Sequence, residues 1–172
     1  MHFLKKYNEK LVKYDFINKF NYKLVKNIPE LVSVTLSFNL KKFSIKPLIS
    51  SLASLKIITL NKGTITKSKV SNISLKIRKG QPVGCKLTLN NNLMYRFLFK
   101  ILNKHVINLK IKKNMFNKIF SIKIRNILMF KDLENNYQFF KTIPDLNITI
   151  KTKTCNINEF IFLLNSFKIY RN

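Results

Sequence analysis

Three stretches of the chain alternate apolar and polar residues with a period of two. Val32, Val34, Leu36 and Phe38 are separated by Ser33, Thr35 and Ser37; Val83, Cys85, Leu87 and Leu89 by Gly84, Lys86 and Thr88; Leu146, Ile148 and Ile150 by Asn147 and Thr149. Successive side chains on a strand point to opposite faces, so each stretch reads as a strand with one buried face and one wet face. Such strands need a cover on the apolar side only, which favours an antiparallel sheet with helices on one face. Gly63 to Val70 continues the strand pattern, and Phe120, Ile122 and Ile124 suggest a further short strand. Ile73, Leu75 and Ile77 are predicted to point inward, with the chain turning between Gly80 and Gly84.

The helical signals lie between these strands. Phe3, Tyr7, Leu11 and Tyr14 recur at helical spacing and predict the buried face of an N-terminal amphipathic helix. Ser44 followed by Pro47 starts a second helix with Leu48, Leu52 and Leu55 as its apolar stripe. Leu93, Met94, Phe97, Leu98, Ile101 and Leu102 make a third, ending near His105; Asn108 to Lys118 reads as a loop or ragged strand. Asn156 three residues before Glu159 is a capping box for a last helix with Phe160, Leu163, Leu164 and Phe167. Helices and strands do not alternate as βαβ units. The expected fold class is α+β, a two-layer, mainly antiparallel sheet with helices packed on one face and a long basic hairpin, forming one domain over residues 1–172.

Charge says what such a domain is for. The 172 residues hold 33 Lys plus Arg against 7 Asp plus Glu, a formal net charge of +26, while the 46% hydrophobic content is that of a globular protein. A compact body so charged repels itself and calls for a polyanionic partner. The acids are also excluded from the middle: between Glu30 and Asp132 there are none, although 21 basic residues lie there. AT-rich coding accounts for part of the lysine excess, but Asp and Glu codons, one G removed from those of Asn and Lys, stay in use in both flanks of the same chain. Selection against negative charge accounts for the gap.

Two surfaces follow from the residues. The wet sheet face would carry Ser33, Thr35, Ser37, Lys86, Thr88, Asn90, Asn147, Thr149 and Lys151. These short hydroxyls and amides, with a few long cations, can reach ribose and phosphate without holding the backbone away. An ordinary solvated sheet face has a similar composition. The second surface is the stretch from Lys69 to Pro82, the tip of a long basic hairpin, carrying two of the three glycines, Gly80 and Gly84, at or beside its end. Scarce glycines mark backbone positions that other residues adopt only with strain.

Other function classes find little support. No phosphate-binding glycine loop is present. His2 and His105 are isolated, Asp132, Glu134, Asp145 and Glu159 are dispersed, and no catalytic constellation can be assembled, so no enzyme activity, cofactor or metal is expected. Cys85 and Cys155 lie far apart and indicate neither a zinc site nor a disulfide framework. No apolar run approaches the length of a membrane span, and Lys5, Lys6, Glu9, Lys10 and Lys13 interrupt any secretory signal.

The segment Thr64-Ile65-Thr66-Lys67 through Lys76-Ile77-Arg78-Lys79-Gly80-Gln81-Pro82-Val83-Gly84-Cys85-Lys86-Leu87-Thr88-Leu89 resembles the signature of the bacterial-type ribosomal protein L-five family of the large subunit. Asn21-Tyr22 with Ile28-Pro29, Phe120 to Phe130, Asp145 to Ile150 and the closing Phe160 to Phe167 helix resemble further parts of it in the same order. The resemblance implies a structural protein of the central protuberance, with large-subunit rRNA and 5S rRNA against the sheet. It implies a hairpin near the P-site tRNA, a contact to a protein of the small-subunit head, and neighbouring ribosomal proteins.

Carried onto this chain, the resemblance makes Asn61 and Thr88 rRNA contacts; with Thr35, Ser37 and Lys86 of the wet sheet face, and Lys62, they are the rRNA-binding candidates. Lys69, Ser71, Asn72, Lys76, Arg78, Lys79, Gln81 and Pro82 become the tRNA-proximal tip. Two departures stand out. Ser37-Phe38-Asn39-Leu40 replaces the family's Asn and glycine-containing turn after the first strand, and the basic Lys110 to Lys118 stretch replaces a glycine-rich segment. The AT-rich composition and a resemblance that starts near Met1, with no transit peptide, imply an organelle-encoded protein, with the mitochondrion as its expected location. Many mitochondrial ribosomes lack a recognisable 5S rRNA, which would fit the altered first strand. The alternative is a free cationic module that binds nucleic acid without a ribosomal role.

Overall fold

The structure is a computed structural model that describes residues 3–40, 44–102, 110–114 and 119–169. It is an α+β fold around a six-stranded sheet, the class expected from the sequence. In chain order the strands are β1 (Glu30–Asn39), β2 (Thr64–Lys67), β3 (Pro82–Asn90), β4 (Lys110–Asn114), β5 (Ile119–Ile124) and β6 (Leu146–Lys153). In space they run β2-β3-β1-β6-β5-β4. Helices α1 (Phe3–Tyr7) and α2 (Lys13–Lys19) are joined by a π-helical turn at Asn8–Val12, and are followed by α3 (Ile45–Thr59), α4 (Asn91–Leu102), α5 (Lys131–Glu134), α6 (Tyr137–Phe140) and α7 (Ile157–Ser166). The loop or ragged strand expected at Asn108 to Lys118 contains the strand β4, and its remaining residues, with His105, lie outside the described residues. The chain divides into two compact units: Met1–Val34, Leu89–Ser121 and Thr149–Asn172 in the first, Thr35–Thr88 and Ile122–Ile148 in the second.

In the first unit the N-terminal helix exists, but the face it buries differs from the expectation. Leu4, Asn8, Val12 and Phe16 are buried, whereas Phe3, Leu11 and Tyr14 are exposed. The reason is the π turn. Residues four apart drift by about 40° per step on a regular α-helix, and the i→i+5 bonding of a π turn widens the helix where that drift would accumulate. The four-residue repeat therefore stays on one side. On that side the Asn8 Nδ2 donates to the buried Tyr95 hydroxyl at 3.0 Å, and Phe16 meets Phe162 edge-on with ring centroids 4.9 Å apart. The Lys19 ammonium sits over the Phe162 ring at 4.4 Å from its centroid. Burial raises the Tyr95 hydroxyl above its ordinary pKa, and the bond from Asn8 opposes that rise.

The α7 capping box is present with Asn156 as N-cap. The Glu159 carboxylate, only 3% exposed, accepts from the Cys155 N–H at 2.8 Å and the Asn156 N–H at 3.2 Å. These are orphan donors at a helix start, where the macrodipole also favours negative charge. Tyr22 lies against this site. Its hydroxyl is pushed well above its ordinary value, first by burial and then by the negative charge of Glu159. Because the folded-state value exceeds the unfolded value of about 10, the stabilisation is fully present below pH ~10 and is lost as pH rises beyond it. Wild-type protein is therefore expected to lose stability relative to Tyr22→Phe as pH rises above about 10, measured by urea midpoints; parallel curves would show that the tyrosine does not titrate differently in the two states.

In the second unit β1 places Leu36 and Phe38 in the core, and β3 does the same with Cys85 and Leu87. Leu31 rather than Val32 is buried at the start of β1, in the first unit, so the alternation begins two residues later than its sequence pattern. Helix α3 starts after Ser44, which is extended, and Pro47 falls in the first turn, where its missing N–H interrupts no helical bond. Leu48 and Leu55 are buried but Leu52 is only half-buried; Ser51, Ser54 and Ile58 complete the inner face. The Ser51 hydroxyl donates to the Leu48 carbonyl at 2.9 Å, and Ser54 to that of Ser51 at 2.8 Å. Their burial therefore leaves neither donor unmet. Leu60 closes the helix with φ of 63°, its N–H bonded to the Lys56 carbonyl at 2.8 Å. Short helices α5 and α6, unforeseen in the sequence, bury Leu133 and Phe140.

Candidate nucleic-acid interface

The second unit assembles most of the predicted polar surface. β2 pairs antiparallel with β3 in the register Thr64↔Lys86, Ile65↔Cys85 and Thr66↔Gly84. Residues directly opposite in an antiparallel pair share a face, so Thr64 and Thr66 join Lys86 on the side away from the buried Cys85. These two threonines were missed as site residues, although Thr-Ile-Thr was a readable alternation. The Thr64 Oγ1 donates to the Lys86 carbonyl at 3.0 Å. On the same side the Thr35 and Thr88 hydroxyls approach to 3.5 Å across β1 and β3, and Ser37 and Asn147 are half-exposed. Lys86 and Thr88 are exposed, as are Lys62, Lys67 and Lys69. Asn61, half-exposed in the turn after α3, has its N–H bonded to Thr59 Oγ1 at 3.3 Å. In the first unit, Ser33 and Thr149 are half-exposed and Asn90 and Lys151 exposed, as the alternation requires.

This surface is nearly all donor and cation. Asp145, beside β6, pairs with Lys123 of β5 at 2.8 Å, with both side chains about half in water. An exposed pair of this kind contributes little to stability, but it neutralises a carboxylate next to the face. Cys85, under the face, has its thiol raised by burial, an effect that hydrogen bonds from Ser51 and the Phe38 backbone oppose. It stays a thiol and packs as an apolar side chain. Among the described residues there is no group of three or more His, Cys, Asp or Glu side chains able to hold a metal, and no helix is long and apolar enough to cross a membrane.

The hairpin differs from its sequence reading in where it turns. The reversal is at Ile73–Lys76, not between Gly80 and Gly84, and Gly84 sits inside β3. Beyond β2 and β3 the two arms are held by backbone bonds: the Ser68 N–H to the Gln81 carbonyl and the Gly80 N–H to the Ser68 carbonyl, each 2.9 Å, then a mutual pair between Asn72 and Ile77 at 2.8 and 3.0 Å. The Lys76 N–H closes the turn onto the Ile73 carbonyl at 3.0 Å. Gly80 has φ of 85°, a conformation that costs glycine nothing, while Lys76 accepts φ of 52° at the turn itself.

The tip candidates divide into two kinds. Asn72 Oδ1 accepts from Ser74 Oγ at 2.6 Å and the Leu75 N–H at 3.3 Å, and Gln81 Oε1 accepts the Arg78 N–H at 3.0 Å. These two brace the loop, and Pro82 begins β3 opposite Lys67. Lys69, Ser71, Lys76, Arg78 and Lys79 are exposed around them. Contrary to expectation, Ile73 and Leu75 do not point inward: Ile73 is 93% exposed, and Leu75 and Val70 are also in water. With four residues to reverse the chain and no second layer over the tip, nothing in the unit can cover them. The result is a projecting tip with an apolar end and cationic flanks.

Comparison with known proteins gives a consistent picture. Residues 82–170 match the family model described as the C-terminus of the ribosomal protein L-five family. Over 180 aligned residues the chain is 32% identical to the large ribosomal subunit protein uL5m of Reclinomonas americana, covering 100% of this chain and 99% of the relative. It is 31% identical to the large ribosomal subunit protein uL5 of Blochmanniella floridana, over 96% of this chain and 90% of that one. It is 33% identical to the uL5 of Borrelia garinii subsp. bavariensis, over 95% and 93%.

Proposed function

Because this chain belongs to the ribosomal protein L-five family, a structural and non-enzymatic one, we propose that it is a structural constituent of the large ribosomal subunit that holds rRNA on its polar sheet face. Thr35, Ser37, Lys86 and Thr88, with Asn61 and Lys62, contact sugar and phosphate, and Thr64 and Thr66 extend that surface. The hairpin tip, residues 69–82, reaches toward the P-site tRNA in the central protuberance, and another part meets a protein of the small-subunit head. Where a 5S rRNA is present, it lies against the sheet. A mitochondrial ribosome is the favoured setting, supported by the full-length likeness to the uL5m of Reclinomonas americana and by the AT-rich composition; bacterial relatives match at comparable identity.

The observation that carries this reading is the hairpin. A tip that keeps Ile73 in water, flanked by Arg78 and Lys79 and braced by its own backbone bonds, is built to meet something outside the chain. Arg78→Glu with Lys79→Glu is expected to leave folding and incorporation into large subunits unchanged, because both side chains are exposed. It should weaken tRNA positioning, read by chemical footprinting of bound tRNA and by translation rate. Loss of the fold would show instead that these side chains are structural. Sedimentation separates this reading from a free cationic module: the ribosomal protein stays with large subunits at salt that strips nonspecific cations, whereas a free module partitions equally among duplex DNA, RNA and anionic vesicles.

A further inference from the structure

The helix built from α1, the π turn and α2 has two apolar faces, of which the first unit covers one fully and the other only at Tyr7. Leu4, Asn8, Val12 and Phe16 are buried. Phe3, Tyr7 and Leu11 each precede a buried residue by one position and so share a second side of the helix, with Tyr14 three residues beyond Leu11 as its neighbour. Tyr7 is half-buried, its hydroxyl donating to the Ser166 carbonyl at 3.1 Å. Phe3, Leu11 and Tyr14 are 67%, 54% and 62% exposed, and Lys6 and Lys10 beside them are exposed as well. From Phe3 to Tyr14 the stripe runs about 16 Å at 1.5 Å per residue, three turns of apolar anchors of the kind that lie in a protein groove.

We propose that this stripe docks a protein partner whose apolar groove takes Phe3, Leu11 and Tyr14 and whose edge carries carboxylates facing Lys6 and Lys10. The proposal rests on the ribosomal reading, which supplies a crowded particle in which such a neighbour exists. Charge and chemistry select the occupant. A second copy of a chain at +26 would bring two strongly cationic bodies together. RNA is disfavoured because Glu9 and Asp15 lie on this helix, outside the acid-free interval, and because Leu11 offers a base neither a stacking plane nor a hydrogen bond. A groove lined by apolar side chains covers all three anchors, and carboxylates complement the two lysines.

The test uses purified large subunits. A water-soluble carbodiimide, which joins amines to carboxylates in direct contact, is expected to link Lys6 or Lys10 to an Asp or Glu of a different protein. An amine-acylating reagent should label these lysines about tenfold less in the particle than in the isolated full chain. Leu11→Asp with Tyr14→Ala, reconstituted into subunits stripped of the native chain, should keep its circular dichroism and its place in the particle while losing that crosslink. Unprotected lysines, or ultraviolet crosslinks from Tyr14 to rRNA in place of protein, would overturn the docking proposal alone. A chain absent from large subunits altogether would overturn the ribosomal reading and this surface's assignment with it.

Discussion

Gly84→Ala is expected to destabilise the chain by about 3 kcal/mol or more, read as a lowered urea midpoint with an unchanged slope. A Cβ at this position would stand 2.0 Å from the Phe38 carbonyl oxygen and 3.1 Å from its carbonyl carbon. Both atoms are backbone of β1, so no side-chain rotation relieves the clash, and β3 has to move away from its neighbour. That movement breaks the bond from the Leu40 N–H to the Val83 carbonyl, 2.9 Å long, and unseats the buried Cys85 alongside. Gly80→Ala is the control. Its Cβ would meet nothing within 4 Å, so only the φ of 85° opposes it, at about 1–2 kcal/mol. Equal losses at the two positions would show that close strand approach is not what Gly84 provides. The end of β1, Ser37 to Asn39, is thus held extended against a glycine of β3.

Affinity of the isolated chain for a large-subunit rRNA fragment is expected to fall by about 10³ to 10⁵ between roughly 50 and 200 mM salt if roughly 6 to 10 phosphates are contacted, on duplex-DNA scaling. The cause is counterion release. Each lysine that neutralises a phosphate frees a condensed cation, so Lys86→Ala should lower the slope of log affinity against log salt by about one. Thr88→Val should act differently: it removes a hydroxyl that sits 3.5 Å from that of Thr35, weakening binding at every salt concentration and leaving the slope alone. Filter binding or fluorescence anisotropy over a salt series distinguishes the two. A slope that Lys86→Ala leaves unchanged would place the phosphate path elsewhere than the sheet face. Inside the particle the salt dependence should be shallower, because shape fit and neighbouring components hold the protein as well.

The strands were the most legible part of the fold, because a period of two survives any tertiary context in which one face is covered. β6 shows it residue by residue, with Leu146, Ile148 and Ile150 in and Asn147, Thr149 and Lys151 out or half out. The α7 start was legible for a local reason: Asn156 and Glu159 satisfy donors within one turn of themselves. The N-terminal helix was legible in type and not in orientation. Its two apolar stripes lie one or two residues apart, and the choice between them depends on a π turn that has no marker in the residues themselves. The hairpin failed in the opposite direction. Ile73 and Leu75 alternate like the buried face of a strand, but a loop of four residues has no layer above it, so both stand in water. Helices α5 and α6 are too short to carry a period, and Leu133 and Phe140 are held there by packing.

The candidate site divides along the same line. The absence of Asp and Glu between Glu30 and Asp132 is a property of the chain and survives any fold, so a polyanionic partner was determined before a coordinate was known. Which hydroxyls share a face depends on strand register, and register is a relation between segments distant in sequence: Thr64 reaches Lys86 only because β2 and β3 pair as they do. The tertiary structure also decided which tip residues are free to bind and which, like Asn72 and Gln81, are spent on bracing the loop. Composition and local periodicity are set by the residues alone, whereas register, close approach and the choice between two apolar helix faces are set by what packs against them.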